Sequence, residues 1–128
     1  DKKMIKELES KDIQEFINQN PKSVLIDVRT EHEWDNVGKP NGKKINLETF
    51  FLSIKNTSGE INESFLHDFE KLNISKDTEI LVICKSGARS SFVSNLLSKE
   101  EYKCTNITDG FEGNTSSNGW KKSGLPTI

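Results

Sequence analysis

Three shortages narrow what this 128-residue sequence can be. Cysteine is scarce: there are two, Cys84 and Cys104. Cys84 follows one expected strand and Cys104 opens the next. In a parallel sheet the two thiols would then stand at opposite edges, on the order of 15 Å apart at ~3.3 Å per residue, beyond disulfide reach. Neither cysteine has metal-ligand spacing to His32 or His67, so no metal site is expected. Long apolar runs are missing too. Nothing approaches transmembrane length and no secretory hydrophobic segment is present, so no membrane association is expected. The third shortage is charge of one sign. Eighteen Lys and Arg against 20 Asp and Glu leave a formal net charge of -2, which argues against general nucleic-acid binding. No repeat, low-complexity tract or linker interrupts the chain, and residues 1–128 are expected to form one domain. The expected compartment is the cytoplasm, with the periplasm as the alternative, because the sequence opens on Asp1 rather than Met and leaves room for processing.

The stretch that is present and unusual is I-L-V-I-C-K-S-G-A-R-S-S, Ile80 to Ser91. Four consecutive apolar residues, Ile80 to Ile83, predict a strand buried on both faces. Cys84 ends it, and Lys85-Ser86-Gly87-Ala88 form a tight polar turn. Arg89, Ser90 and Ser91 open a helix whose expected apolar face is Phe92, Val93, Leu96 and Leu97. A thiol at the carboxyl end of a buried strand faces the N–H groups of such a turn and the positive end of the helix dipole. Lys85 and Arg89 add two cations, and Ser86 and Ser90 two hydroxyl donors. Gly87 permits a backbone conformation or close approach that a side chain would block. Together these favour thiolate over thiol. Cys84 is therefore the candidate nucleophile, while Cys104 reads as a small core residue.

The remaining pattern alternates strand and helix. Met4 to Leu8 is a weak first strand. Ser10 is placed as N-cap of a helix carrying Ile13, Phe16 and Ile17, which Asn20-Pro21 stops. Val24 to Val28 reads as a second buried strand, with Asp27 near its end and Arg29 just after. Thr30 caps a short helix through Trp34. Gly38 to Lys44 is loop, and Ile45 to Leu47 a brief third strand. The Phe50-Phe51-Leu52 cluster that follows serves as core or as a pocket wall. Asn62 is placed as cap of a helix carrying Phe65, Leu66, Phe69 and Leu72, with His67 solvated off that stripe. Lys103 to Thr108 is the last strand, followed by an Asp109-Gly110-Phe111 turn and a short helix around Trp120. Trp34 and Trp120 are expected in the core. The alternation predicts an α/β fold, a parallel sheet with helices on both faces. Ligands of such sheets bind beyond the carboxyl ends of the strands.

C-K-S-G-A-R-S resembles the active-site loop of the rhodanese-type sulfurtransferases, a cysteine followed by four residues, an arginine and a Ser/Thr. The resemblance runs through most of the chain. L-I-D-V-R-T-E-H-E-W, I-T-D-G-F and N-G-W-K-K-S-G-L-P are similar to the family's second-strand and closing signatures. V-G-K-P-N-G-K-K-I-N departs from the common form, which carries a histidine there. The resemblance implies a five-stranded parallel sheet in which the last strand lies beside the first. That would bury the Cys104 strand more deeply than its polarity suggests.

The family also implies a two-step sulfur transfer. Cys84 takes a sulfane sulfur from thiosulfate or a persulfide donor, and the loop Lys85, Ser86, Gly87, Ala88 and Arg89 cradles the persulfide. Cyanide, a thiol or a protein then accepts the sulfur. No cofactor beyond the covalent persulfide is implied. Lys85 is expected to face substrate. Arg89 either stabilises the anionic donor and leaving group or holds the loop's shape. Ser90, Asp27 and Arg29 are supporting residues, the last two as a structural pair or loop brace. Phe50, Phe51 and Phe111 are candidate apolar walls. Two alternatives stand beside this: a persulfide carrier or binding module without turnover, and a Cys-dependent phosphatase or arsenate reductase. The second is disfavoured because phosphatase loops of the related type place five residues, not four, between Cys and Arg. A thiol redox sensor is disfavoured because no resolving cysteine is near. Oligomeric state is not legible.

Overall fold

The computed structural model describes residues 5–128. Five strands form one wholly parallel sheet: β1 (Lys6–Leu8), β2 (Val24–Asp27), β3 (Glu48–Phe51), β4 (Glu79–Ile83) and β5 (Lys103–Ile107), in the order β1-β5-β4-β2-β3. The helices are α1 (Ile13–Gln19), α2 (Glu31–Val37), α3 (Phe65–Glu70), α4 (Ala88–Lys99) and α5 (Gly119–Lys122). β4 lies at the centre because it is apolar on both faces and every residue from Ile80 to Ile83 is buried.

Alternation along the strands divides the core. Val24, Ile26, Val28, Ile80 and Val82 pack with Phe65 and Phe69 of α3 and with Val93 and Leu97 of α4. Leu25, Leu81, Ile83 and Ile107 face the other way, onto Ile13 and Ile17 of α1 and Trp120 of α5. The register sets Asp27 beside Ile83 and Cys104 beside Ile80. Cys104 is thus four residues from the level of Cys84, and both thiols are free and buried. Burial pushes the Cys104 thiol up to about 12, with the Glu79 charge adding to it and a Ser98 hydrogen bond partly opposing.

Several local expectations are corrected. The third strand is Glu48–Phe51, not Ile45–Leu47. Gly42–Ile45 is instead a 3-10 turn ended by Asn46 in the left-handed region, φ 59°. Met4 lies outside the described residues, and the first strand is Lys6–Leu8. Ser10 does not cap α1. It begins a 3-10 turn, and its backbone N–H and hydroxyl donate to the Asp109 carboxylate, both at 2.9 Å. α3 starts at Phe65 after Ser64, and Asn62 caps the turn that leads into it: Asn62 Oδ1 accepts from the Ser64 N–H at 3.1 Å and its carbonyl from the Phe65 N–H at 3.0 Å. Its amide donates to the Ser53 carbonyl at 3.0 Å and fastens the preceding loop. Phe92 is 51% exposed, and the face α4 buries is Ser90, Val93, Ser94 and Leu97. Ser90 is buried because its hydroxyl bonds at the loop, described next.

Candidate active site

Strand β4 delivers Cys84 one residue past its end, on the side of the sheet that α4 covers. The chain then turns through Lys85, Ser86 and Gly87, and α4 begins at Ala88, one residue earlier than expected. Gly87 makes that turn possible. Its φ is 114°, in the left-handed region, and a Cβ there would overlap the Thr108 carbonyl. Gly110 is similarly confined, because a Cβ on it would overlap the backbone of Lys85 and Ser86. The Asp109-Gly110-Phe111 turn therefore lies directly behind the loop.

That turn also organises the loop's polarity. Phe111 N–H donates to the Cys84 carbonyl at 2.8 Å, and Glu112 N–H to the Lys85 carbonyl at 3.0 Å. With those carbonyls taken from behind, N–H groups face the sulfur. Gly87 N–H donates to Cys84 Sγ at 3.2 Å. The first turn of α4 leaves further N–H groups, at Ala88, Arg89 and Ser90, without helical acceptors. The Ser90 hydroxyl lies 3.2 Å from Cys84 Sγ and 2.5 Å from Asn106 Oδ1. Asn106 in turn donates to the Gly87 carbonyl at 3.3 Å. Cys84 is 1% exposed, whereas Lys85, Ser86 and Ala88 are open to solvent. The arrangement can hold an anionic sulfur against the Gly87 N–H and the positive end of α4.

Arg89 is not a free cation over the thiol. Its fork donates to both oxygens of Glu33 in α2, Nη1 to Oε1 at 2.6 Å and Nη2 to Oε2 at 2.9 Å. Glu33 also closes a reciprocal cap with Thr30: the Glu33 N–H donates to Thr30 Oγ1, and Thr30 N–H and Oγ1 donate to Glu33 Oε1. Burial works to raise the Glu33 carboxyl, but the Arg89 hydrogen bonds, the Thr30 bonds and the Arg89 charge outweigh it and hold the group at about 2. The same hydrogen bonds raise the Arg89 guanidinium above its ordinary value against the opposing effect of burial, and the Glu33, Cys84 and Asp27 sites add to the rise. Glu33 is the site residue the sequence reading missed. The signal was present, since Thr30-x-x-Glu33 is a capping-box pattern.

Asp27 and Arg29 form a wholly buried ion pair, 2.8 Å at its shortest. Arg29 also donates to the Gly38 carbonyl at 2.9 Å and lies over the Phe111 ring, 4.2 Å from its centroid. Ser53 Oγ donates to the Arg29 carbonyl at 2.7 Å. The pair thus ties β2 to the loop after α2, to the Asp109 turn and to the loop after β3. Phe111, expected as a pocket wall, is fully buried in the α1/α5-side core and stacks on Arg29 instead. Phe50 packs against the α3/α4-side core. Phe51 is 37% exposed, with the half-buried Trp34 edge-on to it at 5.3 Å. Asp109, 1% exposed, is the joint behind the site: Oδ1 takes Ser10 and Oδ2 takes Gly119 N–H at 2.9 Å.

A thiol on a short loop between the central parallel strand and a helix N-terminus, in a five-stranded sheet of this order, defines the rhodanese-like class of α/β proteins. The chain belongs to the rhodanese-like domain family, whose model matches residues 9–117. Its relatives include an uncharacterized protein of Rickettsia prowazekii, 40% identical over 109 residues that cover 84% of each chain. An uncharacterized protein of Rickettsia conorii is 39% identical over 111 residues, again 84% of each. Among solved structures, Rv0390 from M. tuberculosis superposes with a TM-score of 0.83 at 27% identity, covering 98% of both chains. The polysulfide-sulfur transferase homodimer of Wolinella succinogenes gives 0.73 at 24% identity over 97% of this chain and 78% of that one, a likeness of fold. Among the described residues no helix is long and apolar enough to cross a membrane.

Proposed function

We propose that this protein is a sulfurtransferase that carries sulfane sulfur on Cys84. The observation that carries the reading is the setting of Cys84 Sγ: it accepts from Gly87 N–H at 3.2 Å, lies 3.2 Å from the Ser90 hydroxyl, and stands beside the open first turn of α4. Cys84 as thiolate attacks the outer sulfur of thiosulfate or of a persulfide. The bond from that sulfur to the donor breaks, and its electron pair leaves with sulfite or a thiolate. The sulfur stays on Cys84 as a persulfide, whose negative charge the N–H groups stabilise. Thiols, proteins or cyanide are the acceptors of the second step.

Two features favour sulfur over phosphoryl transfer. Arg89 is committed to Glu33 and is not turned inward to clamp several phosphoryl oxygens. The thiol is almost covered, which suits the transfer of one terminal atom better than attack on a tetrahedral phosphorus. Lys85, exposed on the loop, is the cation left to attract an anionic donor.

The test is intact-protein mass spectrometry after incubation with thiosulfate or a small-molecule persulfide. The native chain is expected to gain one sulfur atom that cyanide removes, and Cys84→Ser to gain none. No gain from either donor, or an equal gain by Cys84→Ser, would refute the assignment.

A further inference from the structure

The Ser90 hydroxyl carries one proton and stands among three acceptors: Asn106 Oδ1 at 2.5 Å, the Gly87 carbonyl at 3.2 Å and Cys84 Sγ at 3.2 Å. Ser90 is fully buried and Asn106 is 3% exposed, so the group is closed to bulk water. The orientation of the Asn106 amide follows from its two contacts. Its Nδ2 donates to the Gly87 carbonyl at 3.3 Å. The exchanged orientation would turn an amide oxygen onto that carbonyl and press an N–H against Ser90 at a separation too short for it. Oδ1 therefore faces Ser90, and an amide oxygen only accepts. The shortest of the three contacts takes the hydroxyl proton.

That assignment leaves a lone pair of Ser90 Oγ toward Cys84 Sγ. The sulfur then meets Ser90 as a donor, through its S–H. Ser90 thus favours the thiol, whereas the Gly87 N–H favours the thiolate. This reverses the donor role expected of Ser90 from its place in the loop.

We infer that Asn106 is a positioning residue that holds the Ser90 proton away from Cys84 and so biases the resting sulfur toward its thiol form. When Cys84 releases its proton to solvent, Ser90 turns its own proton from Asn106 to the sulfur. One hydrogen bond breaks as another forms, and thiolate formation costs the Ser90–Asn106 bond. The consequence for activity rests on the sulfur-transfer reading above, in which the thiolate is the attacking species. The pair then sets the pH at which sulfur uptake becomes fast.

The charges around this group are separate from it. Lys85 is exposed on the loop, with the half-buried Glu112 beside it. Arg89 is paired with Glu33, and Asp27 with Arg29. Asp109 is taken up by Ser10 and Gly119, and Glu7 of β1, level with Asn106, is exposed. The hydrogen bonds of the Ser90 and Asn106 side chains run instead to each other, to Gly87 and to Cys84. Neutral substitutions at 90 and 106 therefore leave the surrounding charges in place.

The experiment titrates the ultraviolet absorbance of the Cys84 thiolate, with Cys84→Ser as the blank. Cys104, pushed up to about 12 by burial, stays a thiol across about pH 4–10. Asn106→Leu, similar in shape but without an acceptor, frees the Ser90 proton for the sulfur. It should lower the midpoint by roughly 0.5–1 pH unit, the scale of one hydrogen bond. Ser90→Ala removes the acceptor of the S–H and should lower it as well. With Ser90→Ala in place, Asn106→Leu should add no further shift. The pH at which the rate of sulfur uptake from thiosulfate is half-maximal should move with the midpoint. A role limited to bracing Gly87 gives the opposite sign for Asn106→Leu, because a displaced Gly87 N–H stabilises the thiolate less. A rise or no change in either single variant would overturn the inference, as would an Asn106→Leu shift that persists without the Ser90 hydroxyl. If Asn106→Leu does not fold, the sign of the Ser90→Ala shift decides alone. Failure of the native chain to take up sulfur from either donor would overturn the sulfur-transfer reading, and the titration, which uses no donor, would still decide where the proton lies.

Discussion

Glu33→Gln isolates the tie between α2 and the Cys84 loop. Glutamine at this position can still close the cap on Thr30, so helix initiation survives. What is lost is the charge facing Arg89. The Glu33 carboxyl stands at about 2 against 4.5 for the free group, which sets an upper bound of about 3 kcal/mol on its interactions in the folded chain. The pair lies at the rim, its side chains 17% and 21% exposed, so solvent screening reduces this to about 1–2 kcal/mol. Because the folded-state value is depressed, the stabilisation is fully present above pH 4.5 and disappears as the pH falls from there through about 2. Urea unfolding at pH 7 should therefore show Glu33→Gln less stable than native by about 1–2 kcal/mol. The difference should narrow below pH 4.5 and close near pH 2. In a double-mutant cycle with Arg89→Gln, most of the loss should appear as coupling. Additivity of the two single changes within about 0.5 kcal/mol would refute the argument, as would a stability difference that does not change with acid.

Two other substitutions probe the frame around the site. Asp27→Asn leaves the buried Arg29 charge without its partner and should cost about 3–5 kcal/mol in chemical denaturation; a loss under 1 kcal/mol would show that Phe111 and the Gly38 carbonyl suffice to hold it. Gly87→Ala forces a side chain into left-handed backbone and into the Thr108 carbonyl, so the loop must shift. Sulfur uptake measured by mass should fall at least about tenfold, because displacement of a catalytic group by ~1 Å costs up to 10²-fold, and native-like uptake would contradict the role given to Gly87 N–H.

The Cys84 loop was legible from Ile80 to Ser91 because its signals are local. An apolar run, a cysteine at its end, a glycine and a helix start are read in one stretch of chain. Arg89 shows where local reading stops. Sequence left its fork undecided between donor and brace, since Glu33 is distant in the chain and only the crossing of α2 over the loop brings the two together. The same holds for Ser10, whose capping chemistry was recognisable but whose acceptor, Asp109, lies on the far side of the sequence. The misplaced third strand has a different origin. Ile45 to Leu47 looks more strand-like by composition than Glu48–Phe51, yet Asn46 turns left-handed and the later segment pairs with β2 at the sheet edge.

The polarity of β5 is where the sequence pattern and the burial conflict, and the conflict has a physical resolution. Cys104 to Ile107 are all buried, although Thr105 and Asn106 are poor choices for a strand flanked on both sides. Burying an amide is costly unless its hydrogen bonds are met. Asn106 meets them only at the loop, accepting from the Ser90 hydroxyl and donating to the Gly87 carbonyl, the same two residues that lie against Cys84 Sγ. A valine at 106 would suit the strand better and leave both loop residues unbraced. The strand therefore gives up apolar packing at one position to fix Gly87, whose N–H donates to the thiol, and the Ser90 hydroxyl beside it. Asn106, though it never touches the sulfur, belongs to the site through the groups that do.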